Sequence, residues 1–319
     1  MLSSSDLSGM VAMMPAFATD DAADLRATDT VDVERLHEGV NRMVGDGADA
    51  ITITGSFGEC YALLPEEFRT TVHETVAAVD KRIPVIAGVP SENAREAVRK
   101  IEIAREAGAD AVLVAVPYYI PSTVKNAIGF FRDIAEMFPD MGILIYHNPI
   151  IHNITLPVDA FSEIIKSPNV IGMKDSHRDP LGFASLQEIV RGKMSVFVGQ
   201  WQYFDYAELG AAGFWSIDAW MGPWPLLALR DAIARGDKDA AREITFDIAS
   251  ARTTALGMDL KWRETAAKIA IDLAGYVKPG PLRAPFTDIP EQVVAERGEA
   301  VEHWKSLCEK YRTDRRLSA

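Results

Sequence analysis

Residues 109–148 read ADAVLVAVPYYIPSTVKNAIGFFRDIAEMFPDMGILIYHN, and this stretch decides the fold. It opens with a short, almost wholly apolar run (109–117) and closes with another (142–148). Between them, Ile128, Phe131, Ile134 and Ala135 fall on one helical stripe, while Lys125, Arg132, Asp133 and Glu136 point away. Continuous apolar runs joined by an amphipathic helix are the mark of parallel strands covered on both faces.

The same unit recurs along the chain. Further candidate strands begin near Gly9, Ala48, Ile83, Asn169, Ser195 and Ala211, which makes eight. Pro65-Glu66-Glu67 and Ser91-Glu92-Asn93 read as helix starts, since acidic groups favour the first turn. Eight strand–helix alternations predict an α/β protein whose parallel sheet closes into a (β/α)8 barrel over residues 1–237. A helical extension is expected over 238–319, interrupted at Val277-Lys278-Pro279-Gly280-Pro281. The rival is an open doubly wound sheet. It loses ground because no GxGxxG turn follows the first strand.

Bulk properties narrow the function. The net charge of −13 and pI near 5.0 speak against nucleic-acid and anionic-membrane partners, which require basic patches. Two cysteines, Cys60 and Cys308, imply no disulfide framework. The Ser-rich start lacks a basic and apolar leader, and no run approaches a membrane span, so a cytoplasmic protein is expected.

Active sites of such barrels lie at the C-terminal ends of the strands. There the sequence offers Gly55-Ser56-Phe57-Gly58-Glu59, Tyr146-His147-Asn148-Pro149 and Met173-Lys174-Asp175-Ser176. Alternation puts Lys174 on the side of Gly172, and Tyr146 on the side of Leu144 and Asn148. With neighbouring strands ~4.8 Å apart, an inward Tyr146 can approach an inward Lys174. A desolvated lysine has a larger neutral fraction and attacks ketones, and a nearby phenol can move the protons. The plain alternative is a structural Lys174 paired with Asp175 or Glu59. His147, His152 and His177 cluster near strand ends, but their spacing fits no metal-ligand signature, so no metal is expected. His177 and Arg178 are open between contact with a polar substrate tail and simple solvation. Arg283 and Glu59 read as structural, and Cys60 has no neighbour that would make it reactive.

These segments resemble the dihydrodipicolinate synthase / N-acetylneuraminate lyase superfamily of pyruvate-dependent class I aldolases, from about Gly9 to Pro285. Gly55–Glu59 is similar to its G-[TS]-x-G-E turn, Tyr146–Pro149 to its Y-x-x-P, and Gly172–Ser176 to its G-x-K-[DE]-[ST]. The Tyr-to-Lys spacing, 174 − 146 = 28, is also the family's usual one. The resemblance implies Lys174 as imine-forming nucleophile, Tyr146 as general acid/base and Ser56 as its relay partner. It further implies that the N–H groups of Ser56 and Phe57 hold the pyruvyl carboxylate, with no cofactor beyond the covalent Schiff base on Lys174. Tyr119, in Pro117-Tyr118-Tyr119, resembles a tyrosine that reaches a neighbouring subunit's site in some members, which implies a homo-oligomer, by resemblance a tetramer.

Departures bear on the substrate. Dihydrodipicolinate synthases carry an arginine five residues after the motif tyrosine; Ile151 stands there. Phe57 replaces a hydroxylated residue. Gly55–Glu59 read as G-[TS]-F-G-E and Tyr146–Pro149 read as Y-x-N-P, with Ala212–Ser216 and Gly222–Pro225, are instead similar to the hydratase-aldolases that cleave trans-o-hydroxybenzylidenepyruvate or carboxybenzalpyruvate to an aromatic aldehyde and pyruvate. Asn148 would then contact substrate oxygens, and Trp215 and Phe57 would line an aryl pocket. Against that likeness, those enzymes tend to have tryptophan in place of Tyr119 and another residue in place of Asp175. The rival within the superfamily is an aldolase or dehydratase for a 2-oxo-3-deoxy sugar acid. The rival from another class is a catalytically silent, ligand-sensing barrel.

Overall fold

The computed structural model describes every residue except Met1, Ser176, Arg252, 254–259 and Ala319, and only the backbone of Leu260 and of 313–318. Eight parallel strands close on themselves in sequence order. They are β1 (Gly9–Met13), β2 (Ala50–Ile53), β3 (Val85–Gly88), β4 (Ala111–Val114), β5 (Gly142–His147), β6 (Val170–Asp175), β7 (Ser195–Gly199) and β8 (Gly213–Ser216). This is the (β/α)8 barrel that the repeating unit predicts.

The helices begin where the chemistry of their first residues dictates. Helix Val33–Asp46 is capped by Asp32, whose carboxylate accepts the Arg35 N–H; helix Ala94–Ala107 is capped by Asn93 through Glu96 N–H. Pro65 opens the next-door helix Pro65–Val79 at a position where its missing N–H is not needed. Helix Val124–Met137 buries Ala127, Phe131, Ile134 and Ala135 against the sheet.

Two connections are leaner than the repeat suggests. Between β5 and β6 the described chain forms only the short helical turns Pro149–His152, Val158–Ala160 and Phe161–Ile164. Asn153, in the left-handed region at φ 53°, ends the first, and Pro157 follows soon after. Between β7 and β8 only Tyr203–Ala207 is helical.

The barrel interior forms its own cluster, including Val11, Ala50, Ile86, Ala111, Leu113, Leu144, Tyr146, Ile171, Phe197 and Trp215, with Leu7 packed against them. Large rings fit because their neighbours are small. Gly213 is required: a Cβ there would lie 2.0 Å from the Gly9 carbonyl oxygen. The β5–β6 ladder holds an irregularity, since Ile143 pairs with Val170 but Leu144 pairs with Gly172. The extra residue, Ile171, turns inward, and Gly172 follows it on the same side beneath Leu144.

After β8 come helices Trp224–Ala234, Lys238–Ser250, Leu260–Ala274 and Glu291–Ser318, with a non-helical stretch from Gly275 to Pro290 that contains the expected break at Val277–Pro281. Ile244, Ile271 and Trp304 from this region share one hydrophobic cluster with barrel residues such as Met14 and Trp220. Among the described residues no helix is long and apolar enough to cross a membrane.

Candidate active site

The site is built on the inward faces of β5 and β6, at their C-terminal ends. Tyr146 and Lys174 are direct partners in the ladder. The Lys174 Nζ lies 4.6 Å from the centre of the Tyr146 ring and 5.4 Å from that of Trp215, with the Met13 sulfur at 3.0 Å. Neither Asp175 nor Glu59 pairs with it, which removes the structural-lysine alternative: Asp175 faces outward, and Glu59 is taken by Lys268 and Arg283.

An amine in this setting loses its proton readily. Burial among apolar groups pulls the Lys174 pKa down from 10.5 to about 7, and the Arg263 charge pushes the same way against a smaller opposing pull from Glu264. The Tyr146 phenol is pushed up to about 12, chiefly by burial, while hydrogen bonds from Ser56 and Asn148 work against the rise. At neutral pH the pair therefore holds a partly neutral amine beside a fully protonated phenol.

Ser56 arrives from the end of β2. Its hydroxyl lies 3.2 Å from the Tyr146 hydroxyl, so either can donate. The turn Ser56–Gly58 that carries it is bracketed by Thr54 and Glu59, both at φ 50°. A β-branched residue in the left-handed region is strained, and here a hydrogen bond from the Thr54 hydroxyl to the Gly88 carbonyl (2.7 Å) holds it. Within the turn the N–H groups of Gly58, Glu59 and Cys60 donate to nearby carbonyls. Those of Ser56 and Phe57, at its start, meet no acceptor among the described residues. Two adjacent, unused N–H groups at the start of a helical turn form a ready anion site.

Met13, Met14, Phe57, Leu113, Tyr146 and Lys174 line one small cleft with this turn. Ser56, Phe57, Tyr146 and Lys174 are thus brought together as the sequence suggests. Trp215 flanks Lys174 from β8 and stacks edge-on with Phe197; it is buried, and its indole N–H has no partner among the described residues. Asn148 has a second task, because its side-chain oxygen caps the turn that begins at Pro149. Tyr119 stands apart, 75% exposed on the loop after β4.

The outward side of β5 and β6 holds a separate cluster. Asp175 is ion-paired with Arg178 and lies 2.8 Å from His177 Nδ1 and 3.6 Å from His147 Nδ1. Burial opposes its charge, but these partners outweigh burial and hold the carboxyl well below the usual range. His147 Nε2 accepts from the Leu156 N–H (3.0 Å), so in the neutral ring Nδ1 keeps the proton and faces Asp175. His147, Asp175 and His177 come close enough to suggest a metal site. The protonated Nδ1 and the adjacent guanidinium make them a poor one. Arg178 also donates to the Leu156 carbonyl, and Tyr206 donates to the Arg178 carbonyl. That leaves Arg178 tied into the protein and not reaching a substrate tail.

Met13, Arg263 and Glu264 act on Lys174 without having been singled out in the sequence. Met13 was accessible: alternation from the inward Val11 points it inward. Arg263 and Glu264 lie 89 and 90 residues downstream on a helix outside the strand pattern, and no local signal could connect them.

Comparison with known proteins agrees with this architecture. The sequence profile of the dihydrodipicolinate synthetase family matches residues 13–304. The chain belongs to that family. It is therefore an aldolase-type carbon–carbon lyase. It is 29% identical to trans-o-hydroxybenzylidenepyruvate hydratase-aldolase of Pseudomonas aeruginosa, across 97% of this chain and 96% of that one. It is 30% identical to 4-hydroxy-tetrahydrodipicolinate synthase of Thermoanaerobacter sp. (strain X514), across 88% and 91%. A solved structure described as PhdJ bound to substrate intermediate superposes with a TM-score of 0.91 at 28% identity, covering 97% of this chain and 99% of that one.

Proposed function

We propose that this lyase joins Lys174 to the C2 carbonyl of a pyruvate-type 2-oxo acid as a Schiff base, and that it cleaves aryl-substituted 2-oxo-3-enoates to an aromatic aldehyde and pyruvate. One observation carries the reading: a lysine with no carboxylate partner among the described residues faces a tyrosine directly across the β5–β6 ladder, inside the barrel.

In this mechanism the N–H groups of Ser56 and Phe57 receive the pyruvyl carboxylate. The neutral Lys174 amine adds to C2, and loss of water gives the protonated imine, which is an electron sink. Water then adds across the conjugated alkene, hydroxyl to C4 and proton to C3. Deprotonation of the C4 hydroxyl breaks the C3–C4 bond, releasing the aldehyde and leaving an enamine. Protonation at C3 and hydrolysis return pyruvate and the free amine, for a net consumption of one water. Tyr146, with Ser56 behind it, is placed to move these protons.

Met13, Phe57, Leu113 and Trp215 favour an aryl substrate over a sugar-derived 2-oxo acid, whose hydroxyls would want polar partners. A desolvated Lys174 beside the Tyr146 phenol favours chemistry over silent ligand sensing. Tyr119 is exposed enough to meet a second subunit, and we include a homo-oligomer in the proposal. Borohydride reduction in the presence of pyruvate, followed by peptide mapping, tests the reading. A reduced adduct on the peptide carrying Lys174 is expected; full recovery of unmodified Lys174 refutes it. Pyruvate release from benzylidenepyruvates, compared with sugar-derived 2-oxo acids, tests the substrate class.

A further inference from the structure

The Lys174 nitrogen sits in a cage of two rings and a sulfur. The Tyr146 and Trp215 rings flank it at 4.6 and 5.4 Å, and it donates to the Met13 sulfur at 3.0 Å. That sulfur is the one acceptor it meets among the described residues. The barrel fixes the contact. Met13 ends β1, and Val11, two residues earlier, faces the interior, so alternation turns Met13 the same way at the C-terminal end of the strand. A thioether is a weak acceptor. It orients the amine without holding its proton, which suits a nucleophile that must be neutral to attack.

The same sulfur is open to chemistry. Met13 is half-buried and lines the cleft with Ser56, Phe57, Tyr146 and Lys174. A cleft that admits a 2-oxo acid also admits hydrogen peroxide. Of the other described methionines only Met137 is exposed, at the end of helix Val124–Met137; the rest, such as Met14 and Met173, are buried. Cys60, beside the Ser56–Gly58 turn, is a poor competitor. Burial pushes its pKa up to about 12, and the thiolate, not the thiol, is the reactive form.

We infer that Met13 is a modification site, whose oxidation by peroxide to the sulfoxide suppresses the lyase by capturing the Lys174 amine. A sulfur lone pair attacks one peroxide oxygen, and the S–O bond forms as the O–O bond breaks. The proton on the retained oxygen passes to the departing hydroxide, giving water. The thioether is oxidised by two electrons and the peroxide is reduced by two. The new oxygen is bonded to a sulfur that already touches the nitrogen, so a strong acceptor comes within reach of the amine. It favours the ammonium over the neutral form, and the suppression is therefore greatest at low pH. This rests on the Schiff-base reading above.

The experiment treats wild type, Met13→Leu and Met137→Leu with dilute hydrogen peroxide and then removes it, since 2-oxo acids consume peroxide. Pyruvate and cyanoborohydride follow. The rate of adduct formation on Lys174 is measured between about pH 6 and 9.5 against untreated samples of the same protein, and peptide mapping quantifies each sulfoxide. Treated wild type and treated Met137→Leu should trap pyruvate about 5- to 10-fold more slowly near pH 6–7, and within about 2-fold of the untreated rate by pH 9.5. The loss should follow the Met13 sulfoxide and be reversed by methionine sulfoxide reductases, not by dithiothreitol alone. Treated Met13→Leu should stay within about 2-fold of its own untreated rate at every pH. A loss that is equal at all pH values, persists in Met13→Leu, follows the Met137 sulfoxide or yields to dithiothreitol overturns the inference. Should Met13→Leu fail to fold, the mapping and reductase results on the wild type decide. Absence of trapping in untreated wild type overturns this inference and the Schiff-base reading together; trapping that survives full oxidation of Met13 overturns this one alone.

Discussion

Lys174 and Tyr146 are ladder partners on β6 and β5, and the lysine nitrogen lies over the tyrosine ring, 4.6 Å from its centre. The phenol meets Ser56. This geometry separates the two roles. Replacing Lys174 with alanine should abolish both turnover and borohydride adduct. Tyr146→Phe should retain the ring packing and still form some adduct, while kcat falls by roughly 100- to 10,000-fold, the usual worth of positioned proton transfer. Single-turnover kinetics with adduct mapping would check this, and an unchanged kcat in Tyr146→Phe would remove the tyrosine from the chemistry.

The depressed Lys174 pKa has two consequences of defined sign. Only the neutral amine attacks, so kcat/KM should climb as pH rises through about 7 and level off above it. For stability, the folded pKa lies below the unfolded value of 10.5. Between about pH 7 and 10.5 the unfolded chain holds a proton that the folded chain lacks, so this group's contribution to stability improves with rising pH across that window. At and below pH 7 the burden is greatest. Lys174→Met should accordingly raise Tm, most at pH 6–7, with the gain shrinking toward pH 10. Thermal melts across that range would expose an error if the gain were flat or grew with pH.

The barrel and the Lys174–Tyr146 pairing were legible because both rest on short-range patterns. Strand periodicity orients each side chain, and strand spacing brings neighbours together. The thin β5–β6 connection was not legible, because the helical turn that Pro149 opens is ended at once by Asn153, with Pro157 close behind. Nor was the partner of Glu59. Lys268 and Arg283 reach it from 209 and 224 residues away, a closure set by tertiary packing alone. The same holds for Arg263 and Glu264, whose charges act on the Lys174 amine from the helical extension after β8.

The irregularity in β6 yields a prediction that alternation alone would miss. Because Ile171 and Gly172 both face inward, Gly172 sits directly under Leu144, and a Cβ there would come within 2.9 Å of the Leu144 Cγ. Gly172→Ala should force Leu144 aside and destabilise the protein by about 1–3 kcal/mol. Because Lys174 lies two residues on, the adduct yield with pyruvate should drop as well. Pairing Gly172→Ala with Leu144→Ala should restore part of the stability, as expected of a steric conflict. Denaturant melts of the single and double variants would decide; additive losses would argue that the conflict lies elsewhere.

Asp175 follows the nucleophile in sequence but points to the opposite side of the sheet, where it holds Arg178, His177 and His147 around one buried carboxylate. Arg178 in turn grips the Leu156 carbonyl, so the carboxylate ties the β6 end to the loop after β5. Asp175→Asn keeps the size and removes the charge, which leaves a buried guanidinium without a counter-charge. Breaking such a pair on one side costs about 3–5 kcal/mol. His177→Ala removes a half-exposed partner, and the loss should stay near about 1 kcal/mol. If the cluster serves to position Lys174, Asp175→Asn should also lower kcat while leaving the Lys174 pKa, read from the pH profile of kcat/KM, near its original value, since Asp175 is not among the groups acting on that amine. A stable Asp175→Asn protein with wild-type kcat would show that the outward cluster is dispensable to both fold and chemistry.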